Sequence, residues 1–174
     1  MKACLLFLLC STCFAAKFKI RAREHFESHK IKTDDFTTTY TGLNNTINLW
    51  WEDPYKLSYG FAISPVISGL TPKDDDDLGD RIILPMIGFE VKYFPWEQFK
   101  KFYVRPGLGY IELRPDNSYQ DHYGYYGYLG VGLEIPYNMF GLALEVAYRK
   151  SYFNDDVEMD SLTPSIGFHF YKSL

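Results

Sequence analysis

The sequence predicts an all-β protein, an eight-stranded antiparallel up-and-down barrel that crosses a membrane. Three observations carry this. From about Lys56 to the C-terminus large apolar side chains recur at every second position, the period of a β-strand. The alternate positions hold mainly Gly, Ala and Ser with isolated charges, where a water-facing sheet would show Lys, Glu and Thr; lipid outside and a crowded interior fit that pattern. Short and long connections between the apolar runs alternate strictly, and the long ones are acidic.

The chain opens on Met1-Lys2 followed by an apolar stretch too brief to span a bilayer as a helix. A secretory signal over residues 1–16 is expected, cleaved after Ala15 or Ala16, with residues 17–174 forming one barrel domain. Cys4, Cys10 and Cys13 all lie in that signal, so no disulfide framework is expected. A lipidated Cys13 is disfavoured, because Cys10 stands where such signals carry a large apolar residue. No later stretch approaches the roughly 20 apolar residues of a spanning helix. The formal charge is −4, and an acidic balance argues against nucleic acid as a partner.

Eight strands follow in order. Strand one, 17–28, places Phe18, Ile20, Ala22 and Phe26 outward with Glu24 on the same face, and Arg21 and Arg23 inward. Strand two covers 37–52. Strand three, 56–69, alternates Leu57, Tyr59, Phe61, Ile63 and Pro65 with small residues. Strand four, 81–95, turns Ile83, Pro85, Ile87, Phe89, Val91 and Tyr93 to lipid, and strand five, 101–114, does the same with Phe102, Val104, Pro106, Leu108 and Tyr110. Strand six, 123–137, offers Leu129, Val131, Leu133 and Ile135; strand seven, 140–153, offers Phe140, Leu142, Leu144, Val146 and Tyr148. Strand eight, 162–172, offers Leu162, Pro164, Ile166, Phe168 and Phe170. Strands of about 11 residues, tilted by about 40°, rise close to the roughly 25 Å apolar band of such barrels. Pro65, Pro85, Pro106 and Pro164 lie in strand interiors, where bulges are expected.

The acidic joints hold Asp34 and Asp35; Asp74, Asp75, Asp76, Asp77 and Asp80; Asp116 and Asp121; and Asp155, Asp156, Glu158 and Asp160. Alternation places them at one end of the barrel, outside the cell, with the tight turns periplasmic. Trp50, Trp51, Tyr55, Tyr59, Tyr93, Trp96, Phe99, Tyr137 and Phe140 cluster near the tight turns, as an aromatic girdle at the membrane boundary would.

With these features in place, the chain resembles the small eight-stranded bacterial outer-membrane barrels of the OmpA/OmpW-like group. The resemblance covers residues 17–174, and its most specific part is Ile166-Gly167-Phe168-His169-Phe170-Tyr171-Lys172-Ser173-Leu174. That ending looks like the closing strand recognised by barrel-assembly machinery, with Ile166, Phe168, Phe170 and Leu174 as the signal. It departs from the pattern in ending on Leu174 and in carrying Lys172 where an apolar residue is usual.

An eight-stranded barrel is just wide enough for side chains to fill it, which excludes a general diffusion pore. Parity points Arg21, Arg23, Glu90, Lys92, Arg105, Glu134, Glu145 and Arg149 inward, with Gly88, Gly107, Gly109, Gly130 and Gly132 making room. Buried charges must pair, so Arg105 is expected to bridge Glu90 and Glu134. The leading expectation is a non-enzymatic, monomeric outer-membrane barrel with a filled lumen, no cofactor, and lipid and lipopolysaccharide as its surroundings. It would serve envelope structure or surface interactions. Asp74–Asp77 suit attraction of a divalent cation but lack the spacing and Gly of an EF-hand loop. Two alternatives remain open. Passive binding or passage of a small, hydrophobic molecule would use a shallow pocket at Tyr126 and Tyr128; a lipid A-modifying enzyme would need a positioned His, for which only His169 with Ser165 is suggestive.

Overall fold

The computed structural model describes residues 17–34, 37–52, 57–64, 71–72, 81–96, 101–115, 120–137 and 140–172. The strands are β1 Lys17–Lys32, β2 Thr37–Glu52, β3 Leu57–Ser64, β4 Met86–Tyr93, β5 Phe102–Pro115, β6 His122–Tyr137, β7 Phe140–Phe153 and β8 Glu158–Lys172. Each pairs antiparallel with its sequence neighbours, and β1 pairs with both β2 and β8. Among the described residues the sheet therefore closes on itself.

The stagger of the closed sheet can be read along one ladder row. Starting at Lys19 and moving from strand to strand, the Cα partners run through Trp50, Gly60, Glu90, Gly107, Tyr128, Arg149 and Ser161, and return to β1 at His29. The row comes back ten residues above its start. A stagger of ten over eight strands corresponds to a tilt of roughly 40° and a lumen that side chains fill.

Period two decides the faces. Leu129, Val131, Leu133 and Ile135 on β6 are exposed, while Tyr126, Tyr128, Gly130, Gly132 and Glu134 between them are buried. The same holds on every strand, so the large apolar side chains form the outer wall.

Two differences from the sequence reading have physical causes. β1, β5 and β8 run further into the acidic joints than expected: β1 reaches Lys32, β5 reaches Pro115, and β8 begins at Glu158. At this end the pattern inverts. Ile31, Ile82, Leu84, Ile111, Leu113, Phe153, Val157 and Met159 point inward into one apolar cluster, while Lys30, Lys32, Arg114 and Tyr152 face outward. This is the rule of water-soluble sheets, polar outside and apolar inside. Asp155 and Asp156, with φ of 59° and 55°, form the tight turn that joins β7 to β8.

The prolines open ladders without inserting residues. Beside Pro164 the β1–β8 ladder misses Phe26 and Glu27 but resumes in the same register, and beside Pro106 the β4–β5 ladder misses Val91 and Lys92. Pro85 separates β4 from a two-residue ladder at Ile82–Ile83 that keeps the same register on β5. A missing N–H removes a bond; it does not require a bulge. Pro65 lies outside the described residues.

Candidate functional site

The lumen is filled by ionic layers stacked along the barrel axis. Lowest is Glu134 on β6, which takes Lys19 and, at 2.8 Å, Lys92. Lys92 also lies over the rings of Trp50 and Tyr103, at 5.0 and 4.5 Å from their centroids. Above it Glu145 on β7 gathers Arg105, Arg23 at 2.7 Å, the Tyr128 hydroxyl and the Tyr103 hydroxyl at 2.8 Å. Arg21 approaches to 4.0 Å and donates to Tyr103. Glu90 sits at the same level, accepting from Arg105 at 2.6 Å and from Asn48 at 3.1 Å.

The third layer is built on Glu27. Its carboxylate accepts from Asn44, faces Arg149 at 3.5 Å, and lies 2.9 Å from His29 Nε2. His29 Nδ1 is 2.6 Å from Ser161 Oγ. A neutral imidazole satisfies both contacts by donating to Glu27 and accepting from the serine hydroxyl. Serine, histidine and carboxylate in a line are the parts of a nucleophilic relay. Here all three are at most 1% exposed, below the apolar cluster at the loop end.

Among the described residues the lumen thus buries Lys19, Arg21, Arg23, Lys92, Arg105 and Arg149 against Glu27, Glu90, Glu134 and Glu145. Tyrosine and tryptophan faces share the excess positive charge. A cavity of about 20 Å³ between Arg23, Glu90, Tyr126 and Arg149 has room for one water molecule.

The structure places all eight inward charges expected from the sequence in the lumen, with the expected Arg105–Glu90 pair but another second partner for Arg105. Arg105 meets Glu90 and Glu145, not Glu134. Its direct neighbour on β6 is Gly130, so Glu134 lies four residues nearer the turns. Glu145 instead reaches across the space left by Gly130 and Gly132. Lys19, Glu27, His29 and Asn48 belong to the layers and were not singled out in the sequence, although strand parity places each of them inward.

On the outer wall Trp51, Tyr59, Tyr93, Trp96, Tyr137 and Phe140 lie at the turn end; Trp51 stacks on Tyr59 with centroids 6.3 Å apart. Trp50 does not join them. It is 1% exposed, because consecutive strand residues point to opposite faces and Trp51 takes the lipid side. A second aromatic ring, unrecognised in the sequence, sits at the loop end: Tyr110 stacks on Tyr123 and meets Tyr125 edge-on, and Tyr148 and Tyr152 continue it. On β6 twelve residues separate Tyr125 from Tyr137, about 30 Å along the axis at this tilt.

Two rings bounding an apolar wall around a charged interior are the arrangement of a transmembrane barrel. The chain superposes on Neisserial surface protein A with a TM-score of 0.66 at 13% identity, covering 89% of this chain and 97% of that one. The fold is that of a small bacterial outer-membrane barrel. Ail, the attachment invasion locus protein of Yersinia pestis, superposes with a TM-score of 0.54 at 12% identity, covering 87% of this chain and 98% of Ail. OprG from Pseudomonas aeruginosa gives 0.51 at 17% identity, covering 92% and 97%. No family model and no curated protein matches the sequence.

Of the remaining expected site residues, Tyr55, Phe99, Asp74, Asp75, Asp76, Asp77 and Leu174 lie outside the described residues. Among the described residues no cluster of His, Cys, Asp or Glu has the geometry of a metal site. Ile166, Phe168 and Phe170 face outward on β8, which closes the barrel against β1. Tyr126 and Tyr128 do not line an open pocket: both are buried in the lumen.

Proposed function

We propose that this protein is a non-enzymatic integral barrel of the bacterial outer membrane whose filled lumen conducts nothing. Its role is in envelope structure or surface contacts. In this reading residues 1–16 direct export and are removed, barrel-assembly machinery reads the end of β8, and the acidic end faces lipopolysaccharide. One observation carries it: ionic layers fill the lumen, and the apolar cluster from Ile31 to Met159 closes its loop end.

The same observation weighs against passage of a small molecule along the axis, since among the described residues the layers from Glu134 to Glu27 are buried and the cavity between Arg23 and Arg149 holds about 20 Å³. It also weighs against a lipid A-modifying enzyme. The Ser161–His29–Glu27 line has suitable chemistry, yet all three side chains are at most 1% exposed, which leaves a lipid almost no surface of the hydroxyl to meet. A crystal structure of Ail includes a heparin analogue, sucrose octasulfate. Binding of such a polyanion does not transfer to this chain, because its loop joints carry Asp34, Asp35, Asp74–Asp77, Asp155 and Asp156, which repel sulfates.

Fractionation and planar-bilayer recording test the proposal. The expected result is recovery in the detergent-extracted outer membrane and no steady conductance after insertion. Recovery in the soluble periplasm, or discrete conductance steps from the folded protein, would overturn it.

A further inference from the structure

The outer wall carries one feature that a lipid-facing surface does not require. Glu24 points outward from β1 and is exposed, yet its surroundings are apolar: Ala22 and Phe26 flank it on the same face, and Ile166 is its partner on β8. Its depth follows from β8, where Ile166 stands four residues from Phe170 at the turn end and six from Asp160, the first outward acid toward the loops. Glu24 is therefore well inside the apolar band, where an ionisable side chain is costly and marks a site by default. Its partner on β2 is Asn45; with the amide turned to donate, the Asn45 nitrogen meets both carboxylate oxygens of Glu24, Oε2 at 2.5 Å. Both groups offer hydrogen-bonding capacity to the lipid side, where water is absent.

A furrow leads to Glu24. It holds about 730 Å³ and runs across the strands between two ladder rows. Leu144, Ile166 and Glu24 form one bank; Val146, Pro164 and Phe26 form the other. The furrow crosses the place where Pro164 interrupts the β1–β8 ladder. The furrow runs from Phe102 on β5 to Leu43 on β2, and its section from Phe102 to Glu24 covers four strand spacings, roughly 19 Å, the length of a long alkyl chain.

We propose that this furrow binds a single-chain amphiphile bearing a cationic amine, with the alkyl chain between the two banks and the ammonium on the Glu24 carboxylate. Charge chooses this occupant. A fatty acid would set a second carboxylate against Glu24. A second copy of the barrel docked about a two-fold axis at this furrow would bring Glu24 against its own counterpart, a like-charge contact in a low dielectric. An uncharged alcohol fills the furrow equally well but forgoes the charge-assisted hydrogen bond. Asn45 positions the carboxylate.

The test uses the ¹⁵N-labelled folded protein in dodecyl maltoside micelles, titrated separately with hexadecylamine, hexadecanol and hexadecanoic acid while amide shifts are followed. The amine should give saturable shifts centred on Glu24, Phe26 and Ile166, with a midpoint about tenfold or more below that of the alcohol. Glu24→Gln, which removes a lipid-facing charge and so favours folding, should bring the amine to the alcohol's midpoint. Val146→Trp, which narrows the furrow, should weaken both. Equal midpoints for amine and alcohol in the unaltered protein would overturn the proposal. So would an amine preference that survives Glu24→Gln, shifts spread evenly over the wall, or shifts at Glu24 that depend on protein concentration without ligand, the sign of a second copy.

Discussion

Arg105 on β5 reaches past β6 to the carboxylate of Glu145 on β7, while its other terminal nitrogen holds Glu90 on β4 at 2.6 Å. One guanidinium thereby ties together strands spread across nearly half of the wall, through the space that Gly130 and Gly132 leave open. Arg105→Ala should cost about 3–5 kcal/mol, because it leaves Glu90 and Glu145 short of a buried partner. Replacing the pair together, as Arg105→Leu with Glu145→Leu, should not recover that loss, since Arg21 and Arg23 would then lose Glu145. Urea midpoints of the folded band on unheated gels measure both; an Arg105→Ala midpoint equal to the parent's would show that the layers add nothing.

The glycines of β6 separate by face. A Cβ on Gly132 would meet the Leu144 carbonyl oxygen and the Tyr103 ring at 2.6 Å, whereas one on Gly127 would meet nothing within 4 Å. Gly132→Ala should therefore destabilise by about 1–3 kcal/mol through overpacking, and Gly127→Ala should stay within about 0.5 kcal/mol. The same urea titration separates them. Equal midpoints would mean that the lumen beside Tyr103 is looser than the stacked layers imply.

The barrel was legible because the bilayer imposes period two on both faces at once: Leu129, Val131, Leu133 and Ile135 outside require Gly130, Gly132 and Glu134 inside. Faces follow from parity alone, and so do the inward charges. Partners do not, because they depend on the stagger of the closed sheet. Arg105 and Glu134 look like neighbours when strands are aligned by their turns, but in the register Arg105 faces Gly130. Trp50 stands close to a turn, where the girdle gathers, but parity turns it inward. The apolar cluster at the loop end was hidden for another reason: Ile31, Leu113 and Met159 keep the period but reverse its sense, because their strands have left the lipid.

That reversal predicts a depth dependence on the outer wall. Leu144 faces lipid between the two aromatic rings, while Tyr152 is exposed in the loop-end ring, on the outward face of the same strand. Leu144→Arg should cost about 2–4 kcal/mol and Tyr152→Arg about 0–1 kcal/mol, since the cost of a charge falls toward the interface. Equilibrium folding into vesicles of uncharged lipid reads the difference. Equal costs would displace the band assigned here.

The Ser161–His29–Glu27 line makes the sharpest demand on the reading of this protein as a closed structural barrel. If the line is structural, its serine is unreachable, and the hydroxyl serves only to satisfy His29 Nδ1 at 2.6 Å. The chain from Lys17 onward contains no cysteine, so Ser161→Cys introduces a unique thiol. In the folded protein that thiol should resist both a water-soluble maleimide and a lipid-soluble alkylating reagent, and react promptly once urea unfolds the barrel. Ser161→Ala should lower stability by about 1–3 kcal/mol, the cost of leaving a buried imidazole nitrogen without its partner. Rapid labelling of the folded Ser161→Cys protein by the lipid-soluble reagent alone would show a route from the bilayer to the relay. The enzymatic reading would then replace the structural one.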